Sequence, residues 1–298
     1  MTPTRRQFLA TSAAAATAAG LPATVSAQAP KADPQAPPFK LGLVTYNVAA
    51  QWDLPTVLKV CKSAGIAAVE ARTTHKHGVE PTLSAEDRDR VKKQFADSGV
   101  VFWGCGSVCE FHSPDPAVVK KNVETCKQFV QLVHDLGGTG VKVRPNGVAK
   151  GASLEKTVEQ IGKALAECGE AADGFGAEIW VEVHGAVTQE PANMKAIMEA
   201  CGHKSVGVCW NSNPPDVENK SVKASFDLLR PWIKSCHIND LYKDHLGVYP
   251  YRELFRLLRE AGYDRYTLIE VGRTPPDVAS GEEMLKYYKA LWTELARG

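Results

Sequence analysis

Residues 177–184 read Ala-Glu-Ile-Trp-Val-Glu-Val-His. A period of two places Trp180, Glu182 and His184 on one face and Ile179, Val181 and Val183 on the other. Such a run predicts a buried strand that carries polar groups toward its C-terminal end. The segment before it, Leu154–Gly174, has helical periodicity, and the alternation recurs along the chain. Strands are predicted at Leu41–Asn47, Ala67–Ala71, Val100–Ser107, Gly140–Arg144, Ala177–His184, Ser205–Asn211, Lys234–Asn239 and Tyr266–Val271. Helical patterns include Ser84–Ser98, Pro116–Leu136, Met194–Cys201, Ser221–Trp232, Tyr251–Ala261 and a closing Glu282–Leu295. Ser84 reads as an N-cap, and Gly137-Gly138 as a helix stop. Eight strand–helix units predict a single (β/α)8 TIM barrel over residues 40–298. A doubly wound open sheet is the competing architecture. It carries a Gly-rich phosphate turn after its first strand, where this chain has Tyr46-Asn47-Val48-Ala49.

Composition narrows the function. The chain has 298 residues with 35 basic and 34 acidic side chains, a net charge of +1. Neither a basic surplus nor a Lys/Arg block is present, which argues against nucleic acid as a partner. The N-terminus pairs Arg5 and Arg6 with an apolar pair and an Ala/Thr-rich stretch that ends in small residues. Residues 1–29 therefore read as a twin-arginine signal peptide and 30–39 as a Pro-rich linker. That address implies a folded protein exported to the periplasm or beyond, with no membrane span after cleavage. A cofactor loaded before export suits this route. Residues 1–39 hold Arg5, Arg6, Lys31 and Asp33, so the remainder is nearly neutral. Eight cysteines with no CxxC pair read as buried free thiols.

In a barrel of this kind the chemistry sits at the C-terminal strand ends. Four successive strands deliver a ligand-type residue there: Glu182, Asn211, His237 and Glu270. Mixed carboxylate, amide and imidazole donors suit one divalent metal ion (Mn2+, Co2+, Zn2+, Fe2+ or Mg2+) better than a thiolate-loving one.

The barrel and these four residues resemble the xylose isomerase-like superfamily of sugar isomerases and epimerases, across essentially the whole mature chain. The resemblance implies that strands five to eight give a Glu, an Asp, a His and a Glu to one metal. Glu182, His237 and Glu270 match; Asn211 departs from the usual Asp and brings no charge. The superfamily also includes apurinic endonucleases, similar in His237-Ile-Asn-Asp240. The Asp and His expected after the sixth strand are Asn211 and Pro214 here, and neither the charge balance nor the export address suits DNA.

The resemblance implies proton transfer beside a carbonyl through an enediolate, with Glu182 and Glu270 as the acid/base pair. Candidate substrate contacts are His184, Arg144, Lys142, His75, Glu110, His112 and Asp240. His75 and His77 are open to a second metal or to plain solvent exposure. Arg144 and Lys142 share the inward face of the fourth strand. Lys142 either offsets the ligand carboxylates or forms an internal ion pair with Glu70 or Glu182. Trp103, Trp180 and Trp210 either stack on a sugar or fill the core. Three functions stay open. One is a metal-dependent sugar isomerase or epimerase. The second is a lyase or hydratase on 3-keto sugars or 3-keto-glycosides. The third is a non-catalytic sugar-binding barrel. All take a small carbohydrate, and a homo-oligomer is left open.

Overall fold

The computed structural model describes residues 36–297. The signal-peptide reading of residues 1–29 lies outside the described residues, as does the linker up to residue 35. Eight strands alternate with eight main helices. The strands are β1 (Lys40–Val44), β2 (Ala68–Arg72), β3 (Val101–Glu110), β4 (Gly140–Arg144), β5 (Glu178–Glu182), β6 (Val206–Asn211), β7 (Ile233–Ile238) and β8 (Tyr266–Ile269). The helices are α1 (Leu54–Ala64), α2 (Ala85–Ser98), α3 (Pro116–Leu136), α4 (Leu154–Gly174), α5 (Pro191–Cys201), α6 (Lys223–Leu229), α7 (Tyr251–Glu260) and α8 (Val278–Arg297). All neighbouring strands are parallel, and β8 closes onto β1, so the sheet is a barrel rather than an open doubly wound sheet. No described helix is long and apolar enough to cross a membrane.

Local chemistry sets the element ends. Ser84 Oγ accepts the Asp87 N–H at 3.1 Å and starts α2. Gly137 takes the left-handed conformation that ends α3, and its N–H bonds the His134 and Val133 carbonyls. Helix α1 is also capped, by Asp53 accepting from Thr56 N–H. Several strands end earlier than the sequence predicts, among them β1, β5, β7 and β8, and one linker residue belongs to the core. Phe39, assigned to the linker, is buried and packs 5.7 Å from Phe255 and 6.0 Å from Trp292. Asn47 and His184 lie beyond the strands to which they were assigned.

The alternation works as predicted. Ile179 and Val181 of β5, Val141 and Val143 of β4, and Ile238 of β7 face the helices in one continuous apolar layer. Inside the barrel a smaller cluster contains Val44, Ala68, Trp103, Trp180, Cys209 and Leu268. The Trp103 and Trp180 rings stack at 4.9 Å and 16°. Trp180 Nε1 donates to Glu178 Oε2, which Arg265 also holds, while Lys234 pairs with Glu178 Oε1. These two tryptophans thus plug the barrel beneath the site, packed on each other. Trp210 of β6 is buried in the layer against the helices and donates to the Tyr249 hydroxyl at 3.0 Å. All eight cysteines are free and buried.

The tryptophan plug needs glycine opposite it. A Cβ on Gly140 would lie 2.6 Å from the Trp180 ring, and one on Gly104 would lie 2.0 Å from the Gly140 carbonyl oxygen. Overpacking of this kind costs about 1–3 kcal/mol and more when backbone must move. Gly104→Ala is expected to lower the urea unfolding midpoint by the equivalent of about 3 kcal/mol or to prevent folding. An unchanged midpoint would show that the plug tolerates added volume.

Candidate active site

Glu182 ends β5, Asn211 ends β6, and His237 lies one residue before the end of β7. Asn211 and His237 are register partners across the β6–β7 ladder. Glu270 follows β8 directly, and its N–H bonds the Ile238 carbonyl at 2.8 Å. The ladder therefore carries all four side chains to one end of the barrel. Glu182, His237 and Glu270 can each offer one donor atom, all within 4.8 Å of one another. His237 Nδ1 is 3.3 Å from Glu270 Oε2 and 3.9 Å from Glu182 Oε1. It has no hydrogen-bond partner, although it is buried. Asn211 Nδ2 donates to Glu182 Oε1 at 3.2 Å, which sets the amide beside the trio.

Two carboxylates and one unpartnered imidazole nitrogen in this arrangement fit a divalent cation of borderline character. Among the described residues this is the one such cluster of three. His75 and His77 do not form a second. Both ring systems reach the Thr45 hydroxyl, His75 Nδ1 at 3.1 Å and His77 Nε2 at 3.2 Å. Val79 N–H donates to His77 Nδ1. Burial, with Arg72 nearby, pushes the His75 imidazole down to about 4, and burial beside His75 does the same to His77. The pair is neutral at physiological pH and bonds to the Thr45 hydroxyl, with His77 buried and His75 half-buried.

Lys142 lies on the inward face of β4 and donates to Glu182 Oε2 at 2.7 Å, with both side chains buried. Of its two predicted ion-pair partners, Glu182 is the one it contacts. Burial alone would raise the Glu182 carboxyl. The Lys142 ammonium, with His237, overcomes that and holds it well below the usual carboxylate range. Burial would likewise lower the Lys142 ammonium, but Glu182, Glu270 and Glu70 together raise it.

Above the trio opens a polar cavity of about 280 Å³. Six predicted residues line it: Lys142, Arg144, Glu182, His184, Asn211 and Glu270. His237 lies beneath it, fully buried. Arg144 pairs with Glu110, so Glu110 stands behind the wall as its partner. His184 Nδ1 meets Asn146 Oδ1 at 2.9 Å, and Asn146 holds a left-handed φ of 61°. His112, His75 and Asp240 do not line this cavity. Asp240 pairs with Arg273 on the rim of a separate groove against α8. Tyr46, Arg72, Gln189, Asn213 and Asn239 complete the lining and were not predicted. Arg72 was legible as the inward residue after Glu70, and Asn239 as the inward residue after His237. Gln189 sits in an irregular loop, where no periodicity marks it.

Fold and site together define a (β/α)8 barrel with a cluster of metal-ligand type at its C-terminal mouth. The chain belongs to the xylose isomerase-like TIM barrel family, whose profile matches residues 58–291. No curated protein sequence matches it. Among solved structures it is similar to a D-psicose 3-epimerase from Clostridium cellulolyticum H10, with TM-score 0.71 and 14% identity over 87% of this chain and 98% of that one. It is also similar to a 3-keto-D-glucoside 4-epimerase from E. coli, with TM-score 0.69 and 15% identity over 85% and 99%. A third similar structure is the IolI protein with a bound zinc atom, with TM-score 0.70 and 17% identity over 87% and 98%.

A buried carboxyl stands behind Asn213 of the cavity wall. Asp216, in the turn after β6, accepts from Asn213 N–H at 2.8 Å and from the Tyr249 hydroxyl at 2.9 Å. Burial pushes its carboxyl up from 3.8 to about 7. The folded state then keeps a proton that an unfolded aspartate has lost. Stability from this group is full below about pH 4 and is lost as pH rises through about 7. Asp216→Asn is expected to flatten that loss. Urea midpoints of both proteins at pH 5 and pH 8 check it, and parallel pH dependences would contradict it.

Proposed function

We propose that this barrel is a divalent-metal-dependent isomerase or epimerase of a sugar or sugar derivative. The observation that carries the reading is the convergence of Glu182, Glu270 and the unpartnered His237 Nδ1 beneath a polar cavity. Glu182, His237 and Glu270 would hold the ion, with Asn211 beside them as a neutral donor. When bound, the ion supplies Lewis-acid stabilisation of the negative charge that develops on substrate oxygen. The amide and basic side chains of the lining suit a ligand rich in hydroxyl groups. The near-neutral composition of the mature chain fits a neutral sugar better than a phosphorylated one.

The two carboxylates are not equivalent, and their surroundings give them different roles. Glu270 is part-exposed to the cavity, and the one ion-pair partner it has among the described residues is His237. It is the base that removes the proton from the carbon beside the carbonyl. At rest the proton shared by Lys142 and Glu182 sits on Lys142 Nζ. As negative charge builds on the carbon, that proton would pass by way of Glu182 across the 2.7 Å contact to the other side of the carbon, while Glu270 gives its proton to water in the cavity and Lys142 regains one from it. Arg144 and His184 contact the remaining oxygens.

This inequality also favours a second reading, elimination from a 3-keto sugar or 3-keto-glycoside. Elimination needs one base and a leaving group, and it begins with the same proton removal. The similarity to a 3-keto-D-glucoside 4-epimerase makes such substrates part of the test. We also propose that residues 1–29 are an export signal, supported by Arg5-Arg6 and the apolar and small residues that follow.

The experiment is turnover of a panel of ketoses and 3-keto-glycosides with Mn2+, Co2+ and Zn2+. At least one substrate is expected to turn over, with an epimer or a released aglycone telling the two readings apart. Glu270→Gln, Glu182→Gln and Lys142→Met are each expected to lower turnover about 100-fold or more. Sugar binding with no turnover of any panel member would instead support a binding barrel.

A further inference from the structure

We infer that Glu70 is a positioning residue: through His237 it fixes how the imidazole is presented to the ion. This rests on the metal-site reading above.

Glu70 lies in the middle of β2, with β8 and β1 between it and β7. It nevertheless reaches across the barrel, placing Oε2 3.1 Å from His237 Nε2. Both side chains are 0% exposed. A carboxylate only accepts hydrogen bonds, so Nε2 carries the hydrogen. In the neutral ring the lone pair is then on Nδ1, the nitrogen that faces Glu182 and Glu270 without a hydrogen bond. A buried carboxylate behind a metal-binding imidazole both orients the ring and strengthens it as a donor.

Keeping Glu70 charged inside the barrel is costly, and neutral packing would be cheaper for the fold alone. Its Oε1 is buried without a hydrogen-bond partner. Its one ion-pair partner among the described residues is His237. The neighbouring strand makes room for it, because a Cβ on Gly106 would come within 2.8 Å of Oε1. Its contact with His237 Nε2 accounts for its place there, because that acceptor is what directs the ring's other nitrogen at Glu182 and Glu270. Glu70 does not line the cavity, so it acts on the ion and not on substrate.

The test is calorimetric titration of the demetallated protein with Mn2+ and Co2+, for wild type, Glu70→Gln and Glu70→Ala. Gln keeps a hydrogen-bond acceptor and loses the charge; Ala loses both. Affinity is expected to fall about 10–100-fold in Glu70→Gln and at least as far in Glu70→Ala. The visible spectrum of the Co2+-loaded protein is expected to shift in Glu70→Ala. Circular dichroism and urea midpoints of the metal-free proteins report whether each variant folds. Unchanged affinity and an unchanged Co2+ spectrum in folded variants overturn the inference, even if their metal-free midpoints drop. A wild type that binds neither ion overturns the metal site itself, and this inference with it. Binding by wild type with no effect of either variant overturns only the role of Glu70.

Discussion

A lysine ammonium and three carboxylates meet inside this barrel, around an imidazole with no water-accessible surface. Charge held in so dry a place is tolerated only when each group has a partner. Lys142 answers Glu182, Glu70 answers His237, and Glu270 closes on the free edge of the same ring. That mutual dependence constrains the rest of the molecule. The lower half of the barrel is filled by the stacked Trp103 and Trp180 rings, which shut out solvent from below. Gly104, Gly106 and Gly140 leave the space that the plug and the Glu70 carboxylate take up. The outer apolar layer of valines and isoleucines then clamps the strands in the register that sets Asn211 beside His237.

The same cluster puts two carboxylates that the sequence presents as equals into different surroundings. Glu182 and Glu270 both stand at strand ends, and nothing in their spacing separates them. The distinction comes from β4, where Lys142 points inward at Glu182 and not at Glu270. An ammonium at contact distance keeps the Glu182 carboxylate ionised, while the ion-pair partner of Glu270 among the described residues is His237. Proton transfer in two directions needs such a difference.

How much of this was legible follows from what periodicity can carry. A period of two identifies inward residues strand by strand, so Glu182, Asn211, His237 and Lys142 could be placed on the barrel's inner face from sequence. Strand ends were less secure, and Asn47 and His184 fall just outside. Pairings across the barrel are not periodic. Glu70 was visible as an inward residue of β2, but its partner on β7 depends on closure and shear. The loops hide most. Asp240 looked like a neighbour of the site by its position after β7, yet it turns to Arg273. His75 and His77 looked like ligands by type, yet both bond to the Thr45 hydroxyl. Phe39 was lost in a proline-rich context, although it seals the core against Phe255 and Trp292.

The central claim is that this cluster removes a proton from carbon beside a carbonyl. The most direct measurement is wash-in of solvent deuterium, with a ketose or 3-keto-glycoside incubated in D2O with the metal-loaded protein. The account predicts deuterium at the carbon next to the carbonyl in product or recovered substrate, and none with Glu270→Gln. Product formed without any deuterium at that carbon, over a range of conversions, or undiminished wash-in with Glu270→Gln, would contradict it.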